Sequence, residues 1–287
     1  MSKRILLLFV IVFFVLFVYV NFSSWEGKLS VHFFDIGVGD AIYIRTPQKH
    51  DIVIDAGPSQ NILSKLGDVM PFYDRTLDIV IITHPHADHI TGTLFLLENY
   101  TVKQVYLTGA MHTTYEYQEL LKTLRDSPSI KKIKVDHPFS VRVENDVDLM
   151  FLYPDFDAAA VDAHKRTPFI KENLNNTSIV VKLISRDQSF LFMGDLEKEG
   201  ESYLLQRYQS DKTVLDADVL KVGHQGSKTS STEEFLKAVS PTTAVITVSA
   251  NNPYHHPHQE VVERLHQLVP EVLRTDKDGD IIIEYED

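Results

Sequence analysis

The rhythm of hydrophobic and polar positions changes near residue 28. Lys3 and Arg4 precede an unbroken apolar run, Ile5 to Val20, which Asn21, Phe22 and Ser23 close. As a helix the run spans only ~24 Å at ~1.5 Å per residue. That is short of a ~30 Å hydrocarbon core unless Phe22 and Trp25 extend it. It is also long for the apolar part of a cleaved signal peptide, and no A-x-A site follows. The positive flank should stay cytoplasmic and send the remainder outside. Residues 1–28 therefore read as a signal peptide or signal anchor, cleaved or retained, with a buried core helix as the competing reading.

From Leu29 the apolar runs become short and broken by turn residues. Leu29–Phe34, Asp40–Ile44 and Asp51–Asp55 predict three successive strands. Leu77–Thr83, a continuous β-branched run, predicts a strand buried on both faces. A helical Ile90–Glu98, a strand Lys103–Leu107 and an amphipathic Tyr115–Leu124 follow, an alternation that implies parallel strands under covering helices. The second half has the same flavour. Ser178–Ile184 and Ser189–Met193 form a hairpin around Ser185–Gln188, and Glu197–Tyr208 reads as a helix. Val219–Val222 and Ala244–Val248 read as strands, Glu233–Val239 and Gln259–Leu268 as helices. Glu271–Arg274 and Ile281–Tyr285, joined by Asp276-Lys277-Asp278-Gly279, predict a closing hairpin. Two such halves suggest two sheets packed face to face with helices outside. Pro154–Arg166 is the one long irregular stretch, a length often functional or mobile.

Composition narrows the chemistry. The 287 residues carry 28 Lys and Arg against 40 Asp and Glu, a formal net charge of −12. A bulk basic footprint for nucleic acid is absent, which leaves only local basic patches. Hydrophobic residues at 44% supply a real core. There is no Cys, so disulfide frameworks, thiol nucleophiles and thiolate metal sites are excluded. The 13 His residues are unevenly placed.

After Leu77–Thr83 comes His84-Pro85-His86-Ala87-Asp88-His89, opening a helix. Four ligand-type side chains on a strand-to-helix loop cannot all be buried cheaply as ordinary polar groups; they make sense around a cation. In extended chain His84 and His86 face one way, and as the backbone turns Asp88 and His89 face a second point, which suits two metals. Asp195, after Gly194 at the end of Phe190–Met193, offers a bridging carboxylate, and His224, after Gly223 at the end of Val219–Val222, a further imidazole. Taken alone, Asp195 could as well cap the following helix. Asp55, closing Ile52-Val53-Ile54, is placed to orient a ligand His through its ring N–H. Gly226-Ser227-Lys228 leads into Ser231-Thr232-Glu233-Glu234, a capping-box pattern whose N–H groups, helped by Lys228, are a candidate phosphate cradle or a simple cap. His255, His256 and His258 precede another helix.

These residues resemble the metallo-β-lactamase superfamily: His84-x-His86-x-Asp88-His89, with Asp55 before it and Asp195 and His224 after it. Phe34-Asp35-Ile36-Gly37-Val38-Gly39-Asp40, Asn175-Asn176-Thr177-Ser178, Leu220 to Ser227 and Asn252-Pro253-Tyr254-His255-His256-Pro257-His258 resemble one branch, the extracellular hydrolase domain of ComEC-type DNA-uptake (competence) proteins. The resemblance covers residues 29 to 285 and implies a four-layer αββα sandwich over 29–287. It implies metal ligands His84, His86, Asp88, His89, Asp195 and His224, and two divalent ions, Zn or Mn. By family position His256 contacts phosphate or protonates the leaving group, Asp88 takes part in catalysis, and Asp40 and His258 support the site. The family has Gln at 38 and His at 225 where this chain has Val38 and Gln225, so position 225 is expected to be peripheral. Many members carry a further His for the first metal. His112, His137 and His164 read as surface residues, and Asn175 or Ser178 stands in the corresponding place.

The expected activity is that of an exported dinuclear hydrolase, most simply a phosphodiesterase or nuclease acting on DNA or a related polymer. A teichoic-acid or phosphocholine-type esterase is the alternative, a lactone or β-lactam hydrolase a more distant one. A metal-stabilised module that binds polymer without cleaving it is the alternative of a different class.

Overall fold

Successive side chains of each central strand part to opposite faces, and this alternation sets the architecture. The computed structural model describes residues 27–160 and 173–286, and ahead of them Ile5, Phe9 and residues 11–13. Strands β1 (Lys28–Phe33), β2 (Ala41–Arg45) and β3 (Asp51–Ala56) are antiparallel. To them β4 (Thr76–Ile82), β5 (Thr101–Leu107) and β6 (Lys131–Lys134) add in parallel. The second sheet repeats the plan. There β7 (Phe139–Glu144), β8 (Val147–Tyr153), β9 (Val180–Ser185) and β10 (Gln188–Phe192) are antiparallel, and β11 (Val219–Lys221), β12 (Thr243–Ile246) and β13 (Glu271–Arg274) are parallel.

Three apolar layers follow. Ile52 and Ile54 of β3 meet Phe190 and Phe192 of β10 between the sheets. Val53 faces outward beneath α1 (Asn61–Val69), α2 (Ala87–Asn99) and α3 (Tyr115–Asp126). Leu191 faces outward beneath α4 (Lys198–Arg207), α5 (Glu233–Val239) and α6 (Gln259–Leu268). Each fully buried side chain of this kind contributes roughly 1.5–3 kcal/mol. The expected two sheets with helices outside are the observed four layers.

The closing hairpin is not formed. β13 pairs with β12, whereas β14 (Ile281–Glu286) crosses to the first sheet and pairs with β1, Val31 opposite Ile283. Between them Thr275–Asp278 forms one helical turn, α7, and the Thr275 hydroxyl exchanges hydrogen bonds with the backbone of Val248. An apolar alternation fits a hairpin or a change of sheet equally well, because both present one face to a core. α1 and the strands β6 to β8 go beyond the sequence expectation. β6 and β7 are the outer strands of their sheets, and their Lys and Arg residues mask the pattern. Most of the expected export or anchor helix, Ile5 to Val20, lies outside the described residues, as do His164 and residues 161–166 of the irregular stretch. Among the described residues no helix is long and apolar enough to cross a membrane.

The two sheets bring the C-terminal ends of β3, β4, β10, β11 and β12 to one edge. α2 closes on that edge through Gly92, where an added Cβ would lie 1.8 Å from the Ala56 carbonyl oxygen. Gly92→Ala is expected to destabilise the protein by about 1–3 kcal/mol through overpacking, read as a lower urea midpoint at unchanged slope; an unchanged midpoint contradicts this packing.

Candidate metal centre

Strand β4 delivers Thr83 and His84 to that edge, and His86 stands at the N-terminus of α2, its carbonyl accepting from the His89 and Ile90 N–H groups. This turn folds the four ligand-type residues together. The His84 and His86 rings lie 4.7 Å apart and those of His84 and His89 4.2 Å. His84 Nε2 is 3.0 Å from His86 Nδ1. Across the sheet junction, Asp195 Oδ2 is 3.4 Å from His89 Nε2 and 3.8 Å from His224 Nε2, and Asp88 Oδ2 is 3.7 Å from His89 Nε2. Two donors each ~2.1 Å from a tetrahedral cation lie about 3.4 Å apart, so these separations suit shared ions. His89 Nε2 and Asp195 Oδ1 are buried without any hydrogen-bond partner. Such orphans are costly unless a ligand satisfies them.

Electrostatics point the same way. Burial opposes a charged His89, yet Asp195, Asp88 and Asp55 outweigh it and hold its pKa well above the usual range. The carboxylates thus call for positive charge at this point. Burial and the neighbouring His89 hold His84 and His86 below the usual range, as lone-pair donors.

Asp55, Asp40 and their neighbours are already committed. Asp55, His84 and His89 have donor atoms within 4.8 Å of one another, as do Asp40, His89 and Asp195. Hydrogen bonds separate the roles. Asp55 accepts from the Thr83 N–H, the Thr83 hydroxyl (2.6 Å) and His89 Nδ1 (2.8 Å), so it aims His89 Nε2 at Asp195. Asp40 is paired with the buried Lys221 ammonium and accepts from Thr247 Oγ1 at 2.5 Å. Lys221 also donates to the Gly194 carbonyl, locking the turn that carries Asp195. The Ser178 hydroxyl accepts from the Asp195 N–H at 3.0 Å, and Asn175 Nδ2 lies 3.3 Å from His224 Nε2. Asn175 and Ser178 thus serve the Asp195–His224 side rather than the His84–His86 pair.

Three expectations change. Gln225 is buried, accepts from the Gly39 N–H and reaches Asp88 Oδ2 at 3.5 Å, so it bridges the glycine loop to the centre instead of lying at the periphery. His112 is not remote: its ring is 5.7 Å from that of His86. His137 does lie apart, exposed and paired with Asp136. The third is the choice left open before α5 between a phosphate cradle and a simple cap, which falls to the cap. The Ser227 N–H bonds the His224 carbonyl, Lys228 N–H goes to His258 Nδ1, and the N–H groups of Ser231 and Thr232 go to the Glu201 carboxylate. A carboxylate already caps that helix, so no anion is needed there.

Glu197 escaped the sequence reading, where it appeared only as a helix start. Its carboxylate accepts from His224 Nδ1 at 3.1 Å, from Asn175 and from Asn173, which fixes the His224 ring as Asp55 fixes His89. Burial opposes its ionisation, but these bonds draw its pKa down to about 2. Its only sequence signal is its position two residues beyond Asp195. At the mouth, His256 stacks edge-on against His224 at 5.2 Å and lies 5.0 Å from His258.

Residues 35–249 match the metallo-beta-lactamase superfamily. The chain belongs to that superfamily. Among curated relatives, ComE operon protein 3 of Bacillus subtilis (strain 168) is 33% identical over 96% of this chain and 35% of its own length. Competence protein ComA of Neisseria gonorrhoeae is 26% identical over 88% of this chain and 32% of its own. The chain therefore spans about a third of these competence proteins. Among solved structures, the metallo-beta-lactamase fold protein YhfI from Bacillus subtilis superposes with a TM-score of 0.56 at 16% identity, over 91% of this chain and all of YhfI. Igni18, a metallo hydrolase from Ignicoccus hospitalis, gives 0.55 at 14%, over 90% and 100%. The metallo-beta-lactamase fold and its relation to competence proteins are thereby established.

In this superfamily member, Asp55→Asn and Glu197→Gln are each expected to weaken metal retention about 10–100-fold with circular dichroism unchanged. Competition against a chromogenic chelator measures it; affinity equal to wild type contradicts the positioning roles.

Proposed function

We propose that the protein is an exported, two-metal phosphodiesterase of the nuclease type. The observation that carries this is the convergence on Asp195 Oδ2, with His89 Nε2 at 3.4 Å and His224 Nε2 at 3.8 Å, and His89 Nε2 buried there without a hydrogen-bond partner. His84 and His86 would help hold one ion and Asp88, His89 and His224 the other, with Asp195 lying between the two groups of ligands. When bound, divalent ions of this kind, Zn or Mn, supply Lewis acidity that polarises a phosphoryl group and makes water a nucleophile near neutral pH.

The chain's own residues do the rest. Asp88, steadied by Gln225, accepts a hydrogen bond from the attacking water. Lys221 and Asp40 neutralise one another, which leaves the imidazoles and ions to favour an anionic ester. His256 is half-buried and flanked by His224 and His258, which lowers its pKa to about 4. It is therefore uncharged at neutral pH and offers an N–H to the leaving oxygen. Water adds at phosphorus and passes a proton to Asp88, the ester P–O bond breaks, and the leaving oxygen, hydrogen-bonded by His256, takes up a proton from solvent. Export rests on Lys3 and Arg4 ahead of the apolar run Ile5–Val20. The kinship with competence proteins supports DNA as the polymer.

Purified protein loaded with Mn²⁺ or Zn²⁺ should hydrolyse bis-p-nitrophenyl phosphate and DNA. His86→Ala and Asp195→Ala should each lower turnover by at least ~10²-fold without loss of fold. Choline release from wall polymer with DNA untouched assigns the esterase instead, and polymer binding without turnover under either metal assigns a binding module.

A further inference from the structure

The loop from Ser249 to His258 is held rigid yet exposes an aromatic ring. The Asn252 side chain donates to the Ser249 and His256 carbonyls, both at 2.7 Å, and accepts from the His256 N–H at 2.8 Å. His258 N–H donates to the Gly226 carbonyl, which ties the loop to the turn carrying His224. On this braced loop Tyr254 is 61% exposed, its ring 5.8 Å from that of His256 and inclined to it by only 30°. Rings therefore run outward from the centre in the order His224, His256, Tyr254, with steps of 5.2 and 5.8 Å. On the His86 side, Met111, 66% exposed, stands beside His112. One face of the Tyr254 ring is thus braced toward His256 while most of the side chain stays in water beside the reacting centre, free to meet a flat ligand.

We propose that Tyr254 is a stacking platform for an unpaired nucleobase next to the scissile phosphate, so that the protein selects single-stranded nucleic acid or frayed ends over closed duplex. This rests on the phosphodiesterase reading and names its substrate class. Every base has a flat π-face, whereas in a duplex that face is covered by its neighbours; an aromatic platform thus discriminates by strandedness, tolerating any sequence. Stacking also explains how a chain of net charge −12 grips a polyanion, since base contacts replace the basic footprint that duplex binding needs.

The test is fluorescence anisotropy of labelled 12-mer oligonucleotides on the full metal-loaded chain, in four forms: single-stranded, the same strand with abasic sites, hairpin-capped duplex, and single-stranded with excess teichoic acid as competitor. Wild type should bind the base-bearing strand at least about 5-fold more tightly than the abasic strand or the duplex. Tyr254→Ala should abolish that ratio, and Tyr254→Trp should preserve it. Equal binding of base-bearing and abasic strands, a ratio unchanged in Tyr254→Ala, or displacement by the wall polymer that depends on Tyr254 overturns the proposal. Base discrimination without hydrolysis of any strand keeps the platform and removes only the catalytic reading. Hydrolysis without discrimination does the reverse.

Discussion

Charge cannot be buried alone, and the edge where the two sheets meet is organised around that constraint. Asp40, Asp55, His89, Asp195 and Lys221 are all withdrawn from water there. Lys221 answers Asp40, and Asp55 is answered by Thr83 and His89. What remains is His89 Nε2, buried without a hydrogen-bond partner and facing Asp195 Oδ2 at 3.4 Å, with His224 Nε2 3.8 Å from the same oxygen. A divalent ion resolves this imbalance most simply, since it satisfies carboxylate and imidazole lone pairs together. The hydroxide chemistry, anionic substrate and stacking loop proposed above all depend on that balance.

The fold exists to assemble this edge. Each half of the chain builds antiparallel strands and then parallel ones, so the parallel C-terminal ends from both sheets converge. Ligand-type residues come from four strand ends far apart in sequence, and none of the four segments could order them alone. Crossing of β14 into the first sheet stitches the halves together through β1.

Much of this was legible in the amino-acid order. The hexapeptide His84 to His89 announces a cation because polar side chains of that density do not follow a buried strand by chance. Asp195 and His224 were legible as strand-end residues, and Asp55 as an orienting carboxylate. Less was legible where one pattern serves two structures: the alternation of β13 and β14 fits a hairpin as well as a change of sheet. Long-range partners were least visible. Nothing local tells that Glu197 will hold His224, that Lys221 will neutralise Asp40 across some 180 residues, or that Glu201 will decide the helix start between phosphate cradle and simple cap. Gln225 was misjudged because its left-handed backbone, φ 53°, turns its side chain inward.

The most direct test of the central claim is the metal content of the purified wild-type chain, by elemental analysis after exhaustive dialysis against metal-free buffer. About two divalent ions per chain are expected from the ligand set. A folded chain that retains none, and that takes up none in a calorimetric titration with Zn²⁺ or Mn²⁺, would contradict the account at its root.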